Sequence, residues 1–308
     1  MARIGLVLGA GGLVGAAFHE GVLRALEDAT GWDPRSAAII VGTSAGSHVG
    51  AGLRAGRDPA TVTTLRRDSI AAPQPEPDRR SLAPAGVGPL VRGLRRPGSV
   101  RALAIGAGLL PAGRLSLEPL TRMVNDAHPA GWPAEPLWLP TVRLRDGARV
   151  VFGTATAPSC DVGTAVAASC AIPGFYAPIH IAGERYVDGG AHSSTNADLL
   201  AGQGLDLVVV SAPMGVARGV RSLSAALQAR GFMRFHLGRE ARQIRASGTT
   251  VVAFSPTAGD LEVMGWNAMA NGRHDAVAAR AYDSAMARLR APGQIEELIR
   301  PLRLRGQV

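Results

Sequence analysis

The chain has 308 residues, enough for one large α/β domain with a buried core, and carries 33 basic against 24 acidic residues for a formal charge of +9. Every one of those basic residues is arginine, which excludes chemistry that needs a lysine: Schiff bases, P-loop phosphate binding and Ser-Lys dyads. Hydrophobic residues make up 46% and aromatics only 4%, a balance that suits small-residue helices on a sheet rather than a coiled coil or a disordered tail.

Ile4 to Leu8 is wholly apolar and predicts a strand buried on both faces. Gly9 to Gly12 interrupts it, and Val14 to Asp28 then carries helical periodicity. Ala38 to Val41 predicts a second buried strand that runs into Gly42-Thr43-Ser44-Ala45-Gly46 and a small-residue helix to about Ala55. Two such β-loop-α units imply a parallel sheet. From about residue 57 to 114 the composition shifts to Pro, Gly and Arg and reads as an insertion. Strands return at Trp138 to Leu144 and Arg149 to Phe152, around Asp146-Gly147, a dipeptide favoured in two-residue hairpin turns. A helix from Asp161 to Ala171 stops before Pro173, and a short hairpin around Gly183 ends at Asp188-Gly189-Gly190. Two more buried strands, Asp206 to Ser211 and Thr250 to Phe254, alternate with helices over Leu223 to Arg245 and Ala276 to Leu289. No repeat or linker divides the chain, so residues 1–308 read as one domain carrying an insertion.

Cys160 and Cys170 form neither a Cys-x-x-Cys pair nor a disulfide framework and read as buried thiols. The seven histidines lack metal-ligand spacing, and no metal or other cofactor is expected. Glycines break the apolar N-terminal stretch, and no run reaches the ~18 apolar residues of a membrane span, so a cytoplasmic location is expected.

Gly42-Thr43-Ser44-Ala45-Gly46 lies between a predicted strand and a predicted helix, the context that makes Gly-x-Ser-x-Gly a nucleophile elbow. Gly42 and Gly46 permit the sharp turn that pushes the Ser44 hydroxyl out beside a helix N-terminus. The alternative is a Gly-rich turn with an idle serine. A serine needs a base. His48 and His192 are candidates by proximity in sequence, but Asp188, at a strand end and followed by Gly189 and Gly190, is better placed for close approach. The loop around Gly11, Gly12 and Leu13 offers backbone N–H groups at a helix start, suited to an oxyanion. A dinucleotide fingerprint is disfavoured because Val14 stands where a glycine is required.

Together these blocks resemble the patatin-like phospholipase family of acyl hydrolases. The resemblance covers Gly9 to Leu26, the elbow around Ser44, and Ala168 to Phe175 leading to Tyr186-Val187-Asp188-Gly189-Gly190, with Asn196 just beyond. It implies a three-layer α/β/α sandwich with a mostly parallel central sheet. It also implies Ser44 as nucleophile, Asp188 as sole base, an oxyanion hole near Gly11, Gly12 and Leu13, and a lipid or acyl-ester substrate. The chain departs from the family pattern with Ala10 at the first glycine of the loop and Val14 at its basic position. Losing that charge favours neutral esters over a phosphate-facing role.

A second function class is a non-catalytic arginine-rich module for anionic membrane or nucleic acid. Its arginines are spread along the chain without a recognised motif, and no nucleic-acid partner is expected. For the insertion, Pro89 to Leu110 with its arginines could dock on anionic membrane as a lid, and an ordinary solvated flap is the alternative.

Overall fold

Apolar runs with no polar face need cover on both sides, and here helices supply it. In the computed structural model, which describes residues 2–62, 113, 115–217, 219–220, 225–270 and 272–291, eight strands among the described residues form one sheet. They are β1 (Ile4–Leu8), β2 (Ile39–Gly42), β3 (Leu137–Arg143), β4 (Ala148–Phe152), β5 (Ile179–Ile181), β6 (Glu184–Asp188), β7 (Leu207–Ser211) and β8 (Thr250–Phe254). Their order is β5-β6-β3-β2-β1-β7-β8, with β4 against β3. From β3 through β8 the neighbours along this path are parallel, whereas β3-β4, β3-β6 and β5-β6 are antiparallel.

The helices are α1 (Gly12–Thr30), α2 (Ala45–Arg54), α3 (Glu118–Ala127), α4 (Val162–Cys170), α5 (Ala225–Ala246), α6 (Ala258–Met264) and α7 (His274–Leu289). Strand alternation assigns them to two layers. Leu6, Leu8, Ile40, Val209 and Val252 face one core with α1, α2, α3, α4 and α7. Val7, Val41, Val208, Val210 and Val251 face the other with Leu237, Ala241 and Ile244 of α5. The result is a three-layer α/β/α sandwich with a mostly parallel sheet, the architecture read from the sequence.

Three local outcomes differ from expectation. Asp146-Gly147 does not make a two-residue turn, because Arg143 pairs with Ala148 and leaves four residues in the loop. Gly147 donates to Arg143 O at 2.9 Å with φ 67°, and the Asp146 carboxylate binds the Arg143 guanidinium and the Ala148 N–H. The two-residue turn is instead Ala182-Gly183 between β5 and β6, with φ 49° and 78°, the signs a type I′ turn needs. Helices α3 and α6 were not anticipated. α3 offers only Leu120 and Val124 as a buried stripe, whereas α6 had a legible signal in the Thr257/Asp260 capping box.

Most of the insertion, including Pro89 to Leu110, lies outside the described residues. Its flanks are anchored: Val62 is buried against Gly52, and Leu115 bridges to Tyr176.

Candidate active site

The turn from β2 into α2 cannot form without its glycines. A Cβ on Gly42 would lie 2.5 Å from Gly46 O, and one on Gly46 would lie 2.0 Å from Leu8 O. Between them Ser44 is buried at φ 54°, ψ −117°, a left-handed conformation that costs a non-glycine residue on the order of 1–3 kcal/mol. Neighbours hold it there. Ser44 N–H donates to Ser169 Oγ at 3.1 Å, and Ser169 Oγ donates to Pro140 O at 2.9 Å. Ser44 O accepts from Ser47 Oγ at 2.7 Å and Cys170 Sγ at 3.2 Å. Gly46→Ala should therefore lower unfolding free energy by more than about 3 kcal/mol, above the usual cost of overpacking. Gly231 in α5 has open space around a built Cβ, so Gly231→Ala should gain about 0.5–1 kcal/mol. Urea denaturation checks both, and similar shifts of one sign would contradict the steric reading.

Asp188 closes β6 opposite Thr141 of β3, its N–H bonded to Ala171 O at 2.9 Å. Its Oδ1 accepts from Gly190 N–H at 2.7 Å. The residue is only 5% exposed. Gly189 permits close approach to β3, since a Cβ there would sit 2.2 Å from Pro140 O. Pro140 is two residues beyond Trp138, the partner of Val41, and so lies level with Thr43. Asn196 spans the same gap: its Nδ2 donates to Thr43 Oγ1 at 3.2 Å and Gly189 O at 3.4 Å. The residues immediately beside Ser44 and Asp188 thus share one amide group.

The loop after β1 reaches the same place. Gly9 and Ala10 amides are bonded to Ser211 O and Ser194 O, and those of Val14 and Gly15 to Ala268 O and Gly11 O. Among the described residues, the amides of Gly11, Gly12 and Leu13 have no protein acceptor. Gly12 has φ 62°, while Ala10 is not in the left-handed region, so alanine is tolerated at the first position of the loop. A Cβ built on Gly190 would lie 3.4 Å from Ala10 Cβ, which puts the Asp188 loop against this one.

His19, which the sequence reading left without a role, fixes the loop from beneath. Its Nε2 lies 2.8 Å from Gly9 O and its Nδ1 2.7 Å from Ser211 Oγ. A carbonyl only accepts, so Nε2 carries the proton and Nδ1 accepts from the serine hydroxyl. Complete burial pushes the His19 pKa down to about 4, outweighing the opposing effect of the Gly9 bond.

The two histidines weighed as bases sit differently. His48 is buried on α2 beside a small cavity shared with Met123, Val124 and Ala127 of α3. His192 follows the turn at Gly189–Ala191, its N–H on Gly189 O at 2.9 Å. Cys170 is buried as expected, but Cys160 is only half-buried, with desolvation first and Asp161 second raising its thiol pKa to about 11. Ser169, Ser47, Arg149 and Glu240 also support the site without having been singled out. Glu240 had a readable signal as the one acid of α5, on the stripe of Leu237, Ala241 and Ile244.

Several arginines serve the fold. Arg54 donates to the carbonyls of Arg35, Ala37 and Pro136, and Arg230 to those of Pro213 and Gly215. Arg245 and Arg288 cap Val251 O and Ala253 O of β8. Among the described residues no group of three or more His, Cys, Asp or Glu could hold a metal ion, and no helix is long and apolar enough to cross a membrane. Clefts of about 580 Å³ beside α5 and β8 and about 350 Å³ around Trp132 and Cys160 are not lined by Ser44 or Asp188.

The family model for patatin-like phospholipase matches residues 6–201, which holds the Gly loop, the elbow, the Asp188 turn and Asn196. The chain belongs to the patatin-like phospholipase family, a family of lipid acyl hydrolases. Solved structures similar to it include the type III effector protein ExoU, at 20% identity and TM-score 0.44, covering 96% of this chain and 54% of that one. VipD from Legionella pneumophila is similar at 13% identity and TM-score 0.48, covering 93% of this chain and 66% of that one. The chain spans less than two thirds of the length of either. Residues beyond 201 lie outside the family match, yet α5 and the Ala268 loop reach the site from there.

Proposed function

We propose that the chain is a serine acyl hydrolase that cleaves fatty-acyl esters through Ser44 and Asp188. The observation that carries the reading is the strained elbow at Ser44, joined through Asn196 to the turn that bears Asp188. In this mechanism Asp188 takes the Ser44 Oγ proton as Oγ attacks the ester carbonyl, and the amides of Gly11, Gly12 and Leu13 receive the developing oxyanion. One such donor is typically worth ~3 kcal/mol of transition-state stabilisation. The tetrahedral adduct collapses to an acyl-enzyme and the alcohol leaves with the proton from Asp188. Asp188 then deprotonates a water that attacks the acyl carbonyl, and Ser44 leaves protonated as the fatty acid is released.

Val14 places no cation at the start of α1, which favours esters without a phosphate close to the scissile bond. The internal duties of Arg54, Arg230, Arg245 and Arg288 weigh against reading the basic composition as a nucleic-acid or membrane module.

Ser44→Ala should abolish hydrolysis of p-nitrophenyl acyl esters, whereas His48→Ala and His192→Ala should retain at least a tenth of it in folded protein. Activity surviving in Ser44→Ala would remove the proposal. Inactivation by a histidine variant that keeps its fold would replace the dyad with a triad.

A further inference from the structure

Glu240 is a buried carboxylate that the acyl-transfer steps do not use. It projects from α5 into residues 193–197, the segment following the Asp188 turn. Ser193 Oγ donates to Oε1 at 2.6 Å, and Thr195 Oγ1 and the Ala197 N–H donate to Oε2, the latter at 3.1 Å. Burial raises its carboxyl pKa above the usual glutamate range, although these three donors oppose that shift.

That segment touches every part of the candidate site. Ser194 O accepts the Ala10 N–H at 2.7 Å and so holds the oxyanion loop. Asn196, at φ 50°, sends Nδ2 to Thr43 Oγ1, Gly189 O and Ser193 O, while its Oδ1 accepts from Arg149 at 3.2 Å. Ser193 Oγ accepts the Thr195 and Asn196 N–H groups at 3.2 and 3.1 Å, so both its lone pairs are committed. Its hydroxyl proton is left for an acceptor, and Oε1 supplies one.

We propose that Glu240 is a positioning residue for this site, holding residues 193–197 in the shape that lets Ser194 and Asn196 tie the oxyanion loop, the elbow and the Asp188 turn together. The role rests on the hydrolase reading for its catalytic consequence, but the tie itself can be tested apart from it. A carboxylate is required. With its oxygen toward Thr195 and Ala197, a glutamine would aim its amide at a serine oxygen with no free lone pair. Reversed, it would set N–H against the Ala197 N–H.

The experiment compares wild type with Glu240→Gln at a temperature where circular dichroism finds both fully folded. The expected result is a ten- to hundredfold fall in kcat on p-nitrophenyl butyrate with KM within about twofold, as for a residue that orients groups without touching substrate. Hydrogen–deuterium exchange should quicken in peptides covering residues 9–15, 41–46 and 188–192, with α7 unchanged. Thr195→Val, which removes one donor and keeps the shape, should move the same three segments by less and serves if Glu240→Gln does not fold. Unchanged exchange in those segments, or kcat within twofold of wild type, overturns the positioning role. Wild-type protein without any esterase activity overturns the hydrolase reading instead, while the exchange pattern still decides the tie.

Discussion

Asp188→Asn should cost at least about a thousandfold in kcat/KM on a soluble p-nitrophenyl ester, within the range of a lost general base, while leaving thermal unfolding nearly unchanged. Asparagine has the same shape and keeps a side-chain oxygen for the Gly190 N–H that Asp188 Oδ1 now accepts. The turn is therefore retained. What the substitution removes is the ability to take a proton, and one carboxylate is asked to do this twice, once for Ser44 and once for the deacylating water. Both half-reactions fail together, so no acyl-enzyme should accumulate. Activity within tenfold of wild type would mean that another group serves as base, and the His48 and His192 variants would identify it.

Acid should destabilise the fold through His19, with an amplitude of roughly 3–4 kcal/mol, taken from about 1.4 kcal/mol for each pH unit by which its folded pKa of about 4 lies below the ordinary 6.5. Between those values the unfolded chain binds a proton that the native chain does not. The contribution is therefore complete above pH 6.5 and is lost as pH falls towards 4. His19 is fully buried, so solvent does not screen the effect. Urea denaturation at pH 7 and pH 4 should differ by about that much more in wild type than in His19→Gln. Equal pH dependence in the two proteins would show that His19 is not the group responsible. The added proton goes to Nδ1, where it displaces the hydrogen bond donated by the Ser211 hydroxyl and leaves the Nε2–H bond to Gly9 O in place.

Local pattern carried the central strands and the elbow. Ile4 to Leu8 and the run into Gly42 have no polar residue to place at a surface, and Gly42 and Gly46 stand where backbones approach too closely for a Cβ. The Asp188 turn was legible for a related reason, because Gly189 faces Pro140 O and Gly190 faces Ala10. Long-range partners were not legible. Ser169 meets the Ser44 amide across 125 positions, and His19 meets Ser211 across 192. Neither pairing leaves a periodic trace. Asp146-Gly147 misled because the Arg143 guanidinium, absent from any dipeptide rule, recruits the Asp146 carboxylate and opens the loop to four residues. Glu240 lay between these cases: a lone acid on an apolar helical stripe signals a buried partner but cannot name Ser193 or Thr195.

The most direct measurement is covalent labelling of the purified chain with a fluorophosphonate probe, mapped by peptide mass spectrometry. The account predicts one adduct, on Ser44, lost in Ser44→Ala and at least a hundredfold slower to form in Asp188→Asn. An adduct on another residue with Ser44 unmodified, or equal labelling rates in wild type and Asp188→Asn, would contradict it.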